Sequence, residues 1–184
     1  MSRYLWPLGA FVLLVAVLAV GLKRAPEKGV IKSPLLGKPA PQFQLPELAD
    51  PTRTVGSGAL QGGWHLVNVW GTWCGECRAE HPQLLAIQRD GRAPIIGIDW
   101  KDDDAQANAW LASLGNPYAQ VGADRDGRVS INWGVYGAPE TFLVSPQGIV
   151  MDKQIGAMTE EKWQQWIHDY VQPPAAGRSL GGGS

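Results

Sequence analysis

The stretch that most constrains this chain is His65 to Leu85, HLVNVWGTWCGECRAEHPQLL, which holds both of its cysteines, Cys74 and Cys77. His65 to Trp70 reads as a buried strand, Gly71-Thr72 as a tight turn, and Cys74 as the opening of a helix. A helix that opens on C-x-x-C aims its unpaired N–H groups and positive dipole end at the first sulfur, which stabilises the thiolate, the reactive form. Cys77 follows on the same face, close enough to resolve a mixed disulfide.

Three other uses of a cysteine pair fit less well. A structural disulfide across two intervening residues restrains little, because the stabilisation grows with the loop it closes. A zinc site would recruit His81, but a closed site needs four ligands, and neither a second C-x-x-C nor a nearby histidine supplies the fourth. Covalent haem attachment needs C-x-x-C-H, and Arg78 stands at the histidine position.

The stretch VNVWGTWCGECRAEHPQL, together with GVYGAPETFLV further on, resembles the DsbE/CcmG family of thiol:disulfide interchange proteins of bacterial cytochrome c maturation. The likeness runs from about Leu36 to about Val171. It implies an α/β fold, a thioredoxin-like three-layer sandwich with a central mixed β-sheet, and an enzyme that needs no cofactor. Gly75-Glu76 departs from the proline or threonine pairing expected inside the motif, which bears on the redox potential.

The same resemblance assigns roles. Cys74 attacks and Cys77 resolves; Pro139 is a cis-proline against the disulfide, leaving the Ala138 backbone free to pair with an extended substrate strand. Thioredoxins usually carry an aspartate proton acceptor where Asn68 stands, and asparagine takes no proton. Acid–base help is therefore expected from Glu140, with Glu76 second, and Glu140 is expected to disfavour the Cys74 thiolate. Trp73 and Tyr136 are expected to line the substrate groove. The implied substrate is the oxidised C-x-x-C-H of apocytochrome c, whose thiols must be free before haem is attached. The implied electron donor is a transmembrane thiol–disulfide carrier of the DsbD or CcdA type, since the periplasm offers no reductant pool, and a haem-attachment complex is an expected neighbour.

At 184 residues the chain is one domain with appendages, and its net charge of −1 gives no reason to expect a nucleic-acid partner. Leu5 to Leu22 is 18 residues without a charge, about 27 Å as a helix, which nearly matches a bilayer core. No A-x-A site precedes Lys23-Arg24, so residues 1–24 read as an uncleaved transmembrane anchor in preference to a cleaved signal peptide. Lys23, Arg24, Lys28 and Lys32 follow the run and only Arg3 precedes it, so the positive-inside rule alone would leave the domain in the cytoplasm. The resemblance places it in the periplasm, on the bacterial inner membrane. Residues 25–37 read as a linker, 38–172 as the domain and 173–184 as a disordered tail.

Within the domain, Lys38 to Leu48 suggests an edge strand around Phe43 and Leu45, while Thr52 to Gly63 is too rich in glycine to carry much. Pro82 lies inside the first helix, where it should kink the axis. Ala93 to Trp100 is a second strand, parallel to the first. Asp102 to Asp104 caps a helix carrying Trp110, Leu111 and Leu114 and ending at Gly115. Asn116 to Trp133 reads as loop plus a short helix. Glu140 to Ser145 and Ile149 to Ile155 form a hairpin, and Thr159 caps a last helix with Trp163, Ile167, Tyr170 and Val171 on one stripe. Rival functions are a general periplasmic disulfide reductase, a peroxiredoxin-like peroxidase and a non-catalytic, zinc-held docking module. The peroxidase lacks its threonine turn ahead of a lone cysteine.

Overall fold

The structure is a computed structural model that describes residues 33–172 and, ahead of them, only scattered positions of the apolar run. The Leu5–Leu22 segment therefore falls largely outside the described residues, as does the expected tail at 173–184. No helix among the described residues is long and apolar enough to cross a membrane.

Residues ahead of Lys38 pack with the domain: Ser33 is buried, and Leu35 and Leu36 pack against the core through a turn closed by the bond from Leu36 N–H to the Ser33 carbonyl. Strands β1 (Gln44–Pro46) and β2 (Thr54–Gly56) pair antiparallel as a separate small sheet, and a 3₁₀ turn, Ser57–Leu60, follows. The segment dismissed for its glycines thus carries two elements. Val55 and Leu60, both buried, supply the apolar anchors, and burial outweighs local propensity.

The main sheet contains β3 (His65–Trp70), β4 (Ile95–Trp100), β5 (Gln120–Asp124), β6 (Glu140–Val144) and β7 (Val150–Ile155), in the order β5-β4-β3-β6-β7. β3, β4 and β5 run parallel; β6 and β7 are antiparallel to their neighbours. The sheet is mixed, as the resemblance implies. β3 sits at its centre, buried along its whole length, with Leu66 and Trp70 in one core and Val67 and Val69 in the other. The first core is covered by α1 (Gly75–Asp90), α2 (Asp104–Leu114) and the C-terminal α4 (Glu160–Trp166). The second is covered by the β1–β2 sheet, the 3₁₀ turn and the short α3 (Arg128–Asn132).

Helix boundaries follow their caps. Asp103 accepts the Gln106 N–H at the start of α2, Thr159 accepts the Lys162 N–H at the start of α4, and Gly91 ends α1 in the left-handed region at φ 74°. β5 lies hidden in what reads as loop. Gly122 interrupts its pattern because Leu45 of β1 packs directly over it, where a Cβ would come within 2.9 Å of the Leu45 side chain. The last helix widens into a π turn over Ile167–Val171, and Trp166, absent from the expected stripe, is fully buried beside Trp163.

Candidate active site

The turn after β3 delivers Cys74 to the N-cap of α1, a helix of 16 residues. Cys74 and Cys77 form a disulfide with Cα atoms 5.3 Å apart, and Cys74 Sγ accepts the Cys77 N–H at 3.1 Å. That bond and the helix dipole favour a thiolate at Cys74 on reduction. Cys74 retains 6% exposure and Cys77 only 1%, so attack from outside reaches Cys74.

Behind the pair lies a carboxyl group that the sequence reading passed over. Asn68, on β3, is fully buried and donates from Nδ2 to Glu80 Oε1 at 2.9 Å and to Thr141 Oγ1 at 3.0 Å, while its Oδ1 accepts from the Tyr118 hydroxyl at 2.9 Å. The other Glu80 oxygen accepts the Met158 N–H at 2.6 Å. Burial pushes Glu80 up to about 7, against the hydrogen bonds from Met158 and Asn68, with the Glu76 charge adding to the rise. Helix α1 therefore returns to this place the acid that asparagine removes from the strand. Two signals pointed to it: C-x-x-C-x-x-E sets Glu80 on the face of Cys77, and Asn68 left a proton acceptor to be found.

Glu140, the residue expected to give acid–base help, is held in a buried ion pair. Its Oε2 lies 2.7 Å from Lys153 Nζ, both side chains are almost wholly enclosed, and its Oε1 accepts the Tyr136 N–H at 3.2 Å. Lys153 also donates to the Gly134 carbonyl at 2.9 Å and sits 5.3 Å from the Tyr136 ring. The pair ties β6 and β7 to the loop Gly134–Ala138. Lys153 was missed because it is a lysine at an inward position of β7, where alternation alone predicts an apolar residue.

The Ala138–Pro139 bond is cis, and Pro139 is buried. No backbone hydrogen bond among the described residues uses the Ala138 N–H or carbonyl, which leaves both for an incoming strand. Tyr136 is exposed on the same loop, and Glu76 is exposed within the motif. Trp73 is 54% exposed; its Nε1 donates to the Trp100 carbonyl at 3.1 Å and its ring meets Trp100 edge-on, so it walls a groove beside the motif along with Arg78, Lys101 and Trp110.

The motif loop is pinned from the far side. Asp102 accepts the Thr72 N–H and, at 2.8 Å, the Thr72 hydroxyl. Asp99, buried at the end of β4, is pushed up to about 8 by burial first and then by the charges of Asp102 and Asp104. Among the described residues no group of three or more His, Cys, Asp or Glu side chains is placed to hold a metal ion. His81, the residue zinc would recruit, has Nε2 2.9 Å from the Gly115 carbonyl and its ring against Trp110.

Residues 35–167 match the Redoxin family. Over 170 residues the chain is 45% identical to the thiol:disulfide interchange protein DsbE of Allochromatium vinosum, covering 92% of this chain and 93% of that protein. Over 168 residues it is 44% identical to the DsbE of Pseudomonas aeruginosa, covering 91% and 92%. Among solved structures it is similar to a DsbE-type thiol:disulfide interchange protein from Chlorobium tepidum, with TM-score 0.63, 25% identity and coverage of 74% and 97%. A secreted disulfide oxidoreductase of Mycobacterium tuberculosis shares the fold at TM-score 0.59 and 20% identity, with coverage of 67% and 92%.

Proposed function

Because the chain belongs to the DsbE thiol:disulfide interchange proteins of the Redoxin family, and is a protein-disulfide oxidoreductase, we propose that it works as a reductant on a polypeptide disulfide. The substrate is the oxidised C-x-x-C-H of apocytochrome c, and the domain faces the periplasm from an anchor at residues 1–24. The observation that carries this reading is the asymmetry of the pair, Cys74 reachable at a helix N-terminus and Cys77 sealed one turn along the helix, with the buried Glu80 three residues beyond it.

The Cys74 thiolate attacks one sulfur of the substrate disulfide, forming a mixed disulfide and releasing the other substrate sulfur as a thiolate that takes up a proton. The Cys77 thiol passes its proton toward Glu80 and attacks Cys74 Sγ. The second substrate thiolate leaves and is protonated, and the Cys74–Cys77 disulfide closes. Two electrons pass to the substrate. The substrate strand lies against the free Ala138 backbone, and the exposed rings of Trp73 and Tyr136 offer it apolar contact. The carboxylates of Glu76, within the motif, and Asp102, bonded to Thr72 beside it, work against a stabilised thiolate form, which favours the oxidised protein and hence a reducing couple. A transmembrane thiol–disulfide carrier of the DsbD or CcdA type regenerates the dithiol.

A Cys77→Ser chain expressed in its native membrane tests this, since it accumulates the mixed disulfide. Capture of apocytochromes through Cys74 supports the reading. Capture of unrelated secreted proteins in their place replaces it with a general reductase, and labelling of Cys74 from the cytoplasmic side alone overturns the topology.

A further inference from the structure

Glu80 receives its strand hydrogen bond from an amide whose two ends differ chemically, and the side chain that selects between them lies 50 residues away in sequence. As it stands, Asn68 turns Nδ2 toward Glu80 and Thr141 and Oδ1 toward Tyr118. Rotated by half a turn, the same amide would set its oxygen against Glu80, which is favourable only when Glu80 carries a proton. Thr141 Oγ1 both donates and accepts, so it does not decide. The Tyr118 hydroxyl does: it is buried, its one proton goes to Asn68 Oδ1, and the reversed amide would leave that proton without an acceptor. We infer that Tyr118 is a positioning residue that fixes the Asn68 amide so that an N–H, and not a carbonyl oxygen, faces Glu80.

The seat for Tyr118 is built into the sheet. Gly97 is in register with Asn68 across β3 and β4, and a Cβ there would come within 3.0 Å of the Tyr118 ring. The empty position lets the phenol lie over β4 and reach Asn68. Trp70 stacks on the Tyr118 ring, centroids 5.4 Å apart and planes 17° apart, with its Nε1 also 3.0 Å from that Cβ position, and Asn116 Oδ1 accepts the Tyr118 N–H at 2.9 Å. The titratable groups bearing on Glu80 are Glu76 on its own helix and Tyr118 from the segment before β5, and Asp99 of β4 bears in turn on Tyr118; Cys77, on the same helix, is held in the disulfide. Asn68 of β3, Thr141 of β6 and the Met158 amide ahead of α4 complete its surroundings and are neutral.

The inference deepens the assignment of Glu80 as acceptor of the Cys77 proton and rests on it for its functional meaning. It is tested on the full chain by following the Glu80 side-chain carboxyl ¹³C resonance against pH. Tyr118→Phe keeps the ring and its stacking and removes only the hydroxyl. The Glu80 midpoint should rise by about one pH unit, a roughly tenfold gain in proton affinity, because the donor on the ionised form is no longer held. Gly97→Ala, which displaces the ring, should move it in the same direction. In an Asn68→Ala background Tyr118→Phe should add nothing. A midpoint unmoved by Tyr118→Phe, or a shift of equal size without Asn68, overturns the inference. The two claims separate, since Glu80→Gln with undiminished exchange rates would remove the acceptor role yet leave the Tyr118 effect on the midpoint intact.

Discussion

Lys153 Nζ lies 2.7 Å from Glu140 Oε2 between β6 and β7, with the lysine side chain 4% exposed and the glutamate side chain 1%. Removing one member of such a pair strands the other as a buried charge. Lys153→Met should therefore cost about 3–5 kcal/mol, and Glu140→Gln a similar amount, while the double substitution should be much less damaging than the two costs added together. Urea unfolding of the four proteins measures this. Additive costs would show that the ion pair is not what holds the loop before Pro139.

The pH dependence of stability has a definite sign. Glu80 is pushed up to about 7 and Asp99 to about 8, both far above ordinary carboxylates, so between those ordinary values and the raised ones the folded chain binds protons that the unfolded chain has released. Stability should fall as pH rises from about 5 to about 8, by a few kcal/mol in all. Glu80→Gln should cut the slope between pH 5 and about 7 to roughly half, since one of two titrating groups is gone. Thermal unfolding of both proteins across this range is the check, and an unchanged slope would mean that Glu80 is ionised throughout.

These acids also mark where sequence reading stops. The strand His65–Trp70, the helix opening at Cys74, the hairpin and the caps at Asp103 and Thr159 were legible because period, turn chemistry and capping are local signals. β2 and β5 were not, since each is a short strand carrying a glycine and is held by distant packing, Gly122 under Leu45 in the second case. The signature around Pro139 pointed to Glu140 as the acid, yet only the fold brings Lys153 across to occupy it. Glu80 sat in plain view three residues after Cys77, but its meaning depends on Asn68 being the group it meets.

Unequal access to the two sulfurs gives a third expectation. After reduction, a limiting amount of iodoacetamide should label Cys74 ahead of Cys77, because Cys77 lies behind it at 1% exposure and only Cys74 sits at the helix cap. Peptide mass mapping distinguishes the two. Equal labelling would mean that the helix start opens on reduction and that the division of roles does not follow from burial.

The central claim is that Cys74 attacks the disulfide of a C-x-x-C-H segment and Cys77 completes the transfer. The most direct measurement mixes reduced Cys77→Ser and Cys74→Ser chains, each separately, with a synthetic peptide carrying that segment in its oxidised form, and reads the covalent adduct by intact mass. The account predicts one peptide bound through Cys74 in the first variant, none in the second, and two free peptide thiols with no adduct from the unaltered chain. An adduct at Cys77 in the Cys74→Ser chain, or no adduct in either, would contradict it.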